Sequence, residues 1–114
     1  VVITKYLSNQ DIDIASARLV SSLEYLQKSA TASNQSKIII NISSGSYSLN
    51  ANDISETVYL PRNIFFQQAP AQITFNSKGI STTPAGDTII LTNLNKRNII
   101  TVKKITGEIE LKKN

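Results

Sequence analysis

Between Tyr6 and Ala32 the chain runs without a Gly or a Pro, and no other stretch constrains the fold as much. Within it Ile12, Ala15, Leu19, Leu23, Leu26 and Ala30 follow one another at steps of three or four, which places them in one stripe along an α-helix. Everything downstream reads as short strands. The expected fold is therefore α+β: a long N-terminal α-helix over about residues 6–32, packed on antiparallel β-sheet, with a strand-rich part over about 37–112. At 114 residues and 40% apolar content, the chain suffices for one domain, 1–114, with one modest core.

The helix carries its own boundary signals. Ser8 and Asn9 are candidate N-caps, Asp11 and Asp13 fall where the positive end of the helix dipole favours carboxylates, and Lys28 lies near the other end. Were the helix continuous upstream, the same residues would be its polar face. Glu24 and Lys28 stand four apart in the favourable order, worth roughly a few tenths of a kcal/mol. Val1 to Lys5 is open to three readings: a strand, an unstructured end, or the tail of a longer apolar helix. The chain starts Val-Val-Ile without a Met and reads as a piece cut from something longer. Ser29 to Lys37 is rich in Ser, Thr, Asn and Gln, which ends the helix.

The strands follow from β-branched runs and turn residues. Lys37–Ile42 reads as a buried strand, Ser43-Ser44-Gly45-Ser46 as a turn, and Tyr47–Leu49 as the return strand of a hairpin. Polar Asn50–Glu56 reads as loop, and Thr57–Leu60 as a strand stopped by Pro61. Asn63–Phe66 is short and aromatic, and Gln67–Ala71 connects it to Gln72–Phe75, where Ile73 and Phe75 alternate inward. Asn76–Gly79 and Thr83–Gly86 are turns, Asp87–Thr92 a strand, and Asn93–Asn98 a polar turn. Asn98–Ile105 and Glu108–Leu111 form a closing hairpin. A two-residue loop at Thr106-Gly107 would set Lys103 opposite Glu110 and Val102 opposite Leu111.

Composition narrows the chemistry. With no Cys there is no disulfide framework, thiolate metal site or Cys nucleophile. With no His the commonest general base and transition-metal ligand are missing, which argues against an enzyme. Twelve Lys and Arg against eight Asp and Glu give a net charge of +4, which permits polyanion binding without arguing for it. Lys96, Arg97, Lys112 and Lys113 are the possible polyanion contacts, though no aromatic is interleaved with them to stack bases. Asp53, Glu56 and Asp87 lack the spacing of a calcium loop, and Ser43–Ser46 has neither a following helix nor a partner base. Asn41-Ile42-Ser43 matches a glycosylation acceptor, relevant only in a glycosylating host.

The order of elements carries a resemblance. Ala17 to Ala30 followed by the strand Ile38–Ile40 is similar to the helix-to-first-strand passage of the GspH/FimT family of minor pseudopilins and type IV minor pilins. Ile73–Gly79 resembles that family's Phe-x-x-x-Gly turn, and Ile99–Val102 followed by Thr106–Ile109 resembles its closing hairpin. The resemblance implies a mature structural subunit acting by assembly, with no cofactor, metal or small-molecule substrate. It implies a missing N-terminal helix, held in the membrane before assembly and in a filament core afterwards. The partners implied are other pilin or pseudopilin subunits and an inner-membrane assembly platform, with the globular domain in the periplasm or outside the cell. Ile14, Ala17, Val20 and Tyr25, off the main stripe, are expected to meet neighbouring subunits. DNA-binding relatives tend to carry Arg after the hairpin Gly, where this chain has Glu108 and Glu110, so carboxylates there would repel phosphate.

Overall fold

A computed structural model describes residues 2–6, 11–33, 36–51, 54–80, 88–103 and 106–113. The order is β1 (Val2–Tyr6), α1 (Ile12–Ser33), β2 (Ser36–Asn41), β3 (Ser46–Ala51), β4 (Ile54–Tyr59), β5 (Phe65–Gln68), β6 (Gln72–Phe75), β7 (Thr88–Thr92), β8 (Arg97–Val102) and β9 (Ile109–Lys113). Two sheets result, β1-β4-β3-β2-β6 and β5-β7-β8-β9, and α1 packs against both, touching β2, β3 and β6 of the first and β7, β8 and β9 of the second.

The helix begins at Ile12, where its apolar stripe begins, and not near residue 6. Val2–Tyr6 pairs in parallel with β4, Tyr6 stacks on Tyr59 at 4.7 Å, and Lys5 reaches Glu56 at 3.4 Å. The first sheet is accordingly mixed, and a helix running upstream through these residues is replaced by an edge strand. Asp11 is the N-cap: its Oδ1 accepts the Asp13 amide at 2.8 Å, satisfying one of the four amides that a helix start leaves unpaired. The proposed caps Ser8 and Asn9 lie outside the described residues.

The polar stretch read as a loop over Asn50–Glu56 is mostly strand, with β3 running to Ala51 and β4 starting at Ile54. Register explains it. Ser48 and Thr57 face each other and share a hydroxyl hydrogen bond of 3.0 Å on the side away from α1, so polar residues mark a wet face here. Tyr47, Leu49, Ala51 and Val58 alternate with them into the core.

The closing hairpin keeps its faces but shifts its register. Val102 pairs with Ile109 and Ile100 with Leu111, where a two-residue loop would set Val102 opposite Leu111. Lys103 N–H donates to Glu108 O at 2.8 Å and Gly107 N–H to Lys103 O at 2.9 Å, so the connection is longer than two residues. A slip of two preserves side-chain direction. Lys103 still meets Glu110, at 2.6 Å, and lies 3.9 Å from Glu108, and those contacts hold its ammonium above the ordinary lysine range.

Gln27 joins three elements at the far end of α1. Its Nε2 donates to Gly79 O at 2.8 Å and to Gly107 O, tying the turn after β6 and the β8–β9 loop to the helix. Both glycines have left-handed backbone, φ 74° and 72°, in which a Cβ is strained. Ser36 Oγ donates to Leu26 O and so fastens the chain's exit from the helix.

Candidate functional site

The helix divides cleanly. Ile12, Ala15, Leu19, Leu23, Leu26 and Ala30 are buried against the two sheets. On the far side Ile14 is 52% and Tyr25 45% exposed, and Ala17 is exposed between them. Val20 departs from the expectation of a free surface: it is half-buried and packs on the core. No helix among the described residues is long and apolar enough to cross a membrane.

Beside this outer face lies a groove. It exists because α1 crosses β2 and β3 while the first sheet continues past it to β4 and β1. Two adjoining depressions share Ser21, Ser22 and Glu56. One, of about 310 Å³, is closed by Ile3, Tyr25, Leu49 and Ala51. The other, of about 480 Å³, is flanked by Lys5, Ile14, Arg18 and Val58. Tyr47 forms part of the floor; burial pushes its phenol up to about 12, only partly offset by its hydrogen bond with Ser22. That hydroxyl stays protonated at neutral pH and is a poor base.

The four proposed polyanion contacts share one end of the second sheet but divide between two environments. Lys96 Nζ donates to Asp13 Oδ2 at 2.9 Å, and Lys113 Nζ is 4.0 Å from the same oxygen. Arg97 and Lys112 lie on the outer face of β8 and β9, exposed and without an ion pair among the described residues. The organising residue is one that sequence reasoning passes over. Asn98 is fully buried, and its amide donates to Asp13 Oδ1 at 2.9 Å and to Ser16 Oγ at 3.0 Å. The Asn98 bond, followed by the Lys96 bond and the Lys113 and Lys96 charges, holds the Asp13 carboxyl below its ordinary value despite some desolvation. Only the odd placement of a polar Asn on an inward position of β8 hints at this in the sequence.

Other candidates thin out. Among the described residues no three carboxylates gather to hold a metal, and Asp53 and Asp87 lie outside them, as does the proposed Thr83–Gly86 turn. Ser43–Ser46 belongs to the β2–β3 hairpin, with Gly45 at φ 63°.

No protein-family model and no curated protein sequence matches the chain. Two solved structures do. The minor pseudopilin EpsH of the type 2 secretion system of Vibrio cholerae superposes with a TM-score of 0.72 at 13% identity, over 91% of this chain and 98% of that one. The type IV minor pilin FimU of Pseudomonas aeruginosa superposes with a TM-score of 0.64 at 16% identity, over 89% and 92%. With its long helix packed on β-sheets, the chain accordingly has the fold of the GspH/FimT-like minor pilins.

Proposed function

We propose that this chain is the globular part of a structural minor subunit in a type II secretion or type IV pilus-like filament, working through contacts and not through chemistry. The observation that carries the reading is an outer helix face bearing Ile14, Ala17 and Tyr25, on a fold shared with a minor pseudopilin and a minor pilin. An exposed apolar stripe rimmed by polar residues is the usual mark of a protein contact. On this reading the domain sits in the periplasm or outside the cell, an upstream apolar helix anchors it to the membrane and engages the assembly platform, and its partners are other pilin-like subunits.

The test uses the full-length protein in its host, epitope-tagged, with filaments sheared and sedimented. The chain is expected in the filament fraction, and the double substitution Ile14→Glu/Tyr25→Glu is expected to release it while leaving the purified domain folded by circular dichroism. A chain that stays in the supernatant beside abundant filaments overturns the proposal. The coding sequence upstream of Val1 is expected to specify a short basic leader, then Gly-Phe and an apolar segment; a globular domain there would overturn it equally.

DNA capture is the other function open to this fold. Its contacts would be Lys96, Arg97, Lys112 and Lys113, and two of those four are engaged by Asp13.

A further inference from the structure

Leu94 breaks two rules at once. It is 81% exposed, and it is the non-glycine residue at positive φ, 79°, among the described residues. A left-handed leucine forces its Cβ against the following carbonyl, whereas Asn, which the chain has on either side at Asn93 and Asn95, tolerates that conformation. Local rules broken without local compensation tend to mark function.

The turn that carries Leu94 is held firmly. Asn93 N–H donates to Lys96 O at 3.1 Å, and Asn93 Oδ1 accepts the amides of Asn95 at 3.1 Å and Lys96 at 2.9 Å. Thr92 Oγ1 accepts the Leu94 amide at 3.1 Å and donates to Lys96 O at 3.0 Å. Lys96 then fastens the turn to the helix through Asp13 at 2.9 Å. The result is a fixed prong: an apolar tip, and at its base Arg97, exposed and without an ion pair among the described residues. A preorganised apolar anchor beside an Arg costs little entropy to bury.

The same chain carries a matching socket. The 310 Å³ end of the groove, between α1 and strands β3, β4 and β1, is lined by Ile3, Tyr25, Leu49 and Ala51, and its charged group is Glu56. Lys5 and Arg18 flank the other end, and Glu56 borders both, so a cation that enters beside Tyr25 meets the Glu56 carboxylate together with the Tyr25 ring. Glu56 is already 3.4 Å from Lys5, but a carboxylate has room for two cations, as Asp13 shows with Lys96 and Lys113. Prong and socket cannot meet within one molecule. Asp13, which holds the prong, and Ser22, which edges the socket, are about two and a half turns apart on α1 and so lie on opposite flanks.

We infer that the β7–β8 turn of one copy docks into this groove of a second copy, Leu94 seated between Tyr25 and Leu49 and Arg97 reaching Glu56. The contact is head-to-tail, so each copy keeps a free prong and a free socket and the arrangement can repeat. The inference goes beyond the filament reading and does not depend on it.

The chain has no cysteine, so engineered thiols report without background. Asn95→Cys protein mixed with Ser21→Cys protein and treated with a short bismaleimide is expected to yield at least about fivefold more heterodimer than Asn95→Cys mixed with Lys78→Cys, a difference of about 1 kcal/mol in contact preference. Leu94→Asn in the first partner should abolish the excess without lowering its melting temperature. Arg97→Glu in the first or Glu56→Arg in the second should each reduce it, and the two together restore it. Equal yields at Ser21 and Lys78, or an excess that survives Leu94→Asn, would overturn the inference. Chains that sediment with filaments but do not cross-link selectively would refute this contact alone; selective cross-linking by a chain absent from filaments would refute the filament reading alone.

Discussion

A single amide, that of Gln27, accounts for two glycines that the sequence offers only as turn formers. Gly79 and Gly107 both present their carbonyls to it, and an added Cβ on Gly107 would come within 2.8 Å of Gln27 Nε2 and 2.9 Å of Gly79 O. At Gly45, also left-handed at φ 63°, an added Cβ meets nothing within 4 Å. Gly45→Ala should therefore cost only the backbone term of about 1–2 kcal/mol. Gly107→Ala adds displacement of the Gln27 amide and the exposure of two carbonyls, for a further loss of about 1–3 kcal/mol. Urea unfolding of the two variants decides it, and equal losses would remove Gln27 from its role. Asp13 gives a second residue-scale test. Its carboxyl is held below the ordinary 3.8, so its contribution is complete above that value and fades as pH falls through the lower folded-state value. Melting temperatures taken from pH 6 to pH 3 should show wild type converging on Asp13→Asn at the acid end, with the difference fully developed by about pH 5, a unit above the ordinary aspartate value. A gap that does not narrow in acid would mean that Asp13 acts sterically.

At the scale of elements, α1 was legible because its pattern is long and both sheets read it from the same side. Leu23 is fully buried and Ile14 half-exposed, so Leu23→Ala should cost about 2–5 kcal/mol and Ile14→Ala less than about 1 kcal/mol in the isolated domain. Similar losses at the two positions would contradict the division into an inner and an outer face. The helix start was not legible. Nothing between Tyr6 and Asp11 breaks a helix by composition, yet Tyr6 stacks on Tyr59 and Lys5 pairs with Glu56, residues more than fifty positions away. Long-range pairing overrides a local pattern there, and Asp11 closes the helix from below; Asp11→Ala should cost about 1 kcal/mol in chemical denaturation. Over Asn50–Glu56 polarity alone indicates a loop, whereas the end of β3 and the start of β4 occupy Asn50–Ala51 and Ile54–Glu56 and the polar residues mark a solvated sheet face. The hairpin register slipped by two because the sequence shows Thr106-Gly107 but not how many flanking residues join the turn, and a slip of two leaves the ionic and apolar faces unchanged.

For the molecule as a whole, what matters is where the +4 net charge resides. The sequence offers Lys96, Arg97, Lys112 and Lys113 as possible polyanion contacts, and the folded chain, through strand register, brings all four to one end of the second sheet. It also brings Asp13 there from the other end of the sequence, through Asn98, and that carboxylate takes up Lys96 and Lys113. Glu108 and Glu110 do the same for Lys103 at the other end of β8 and β9. Among the described residues Arg97 and Lys112 are left as the uncompensated cations of the patch. Since each neutralised phosphate contributes about −0.9 to the slope of log affinity against log salt on duplex DNA, two contacts predict a slope of only about −2. Binding of that kind shows in a gel shift at low salt and vanishes near physiological ionic strength. Asp13→Asn frees two further cations at the same end of the sheet, and the slope should steepen toward about −4 with a corresponding gain in low-salt affinity. A wild-type slope already near −4, or one unmoved by Asp13→Asn, would show that Asp13 does not silence the patch and would return DNA capture to the front as the function of this fold.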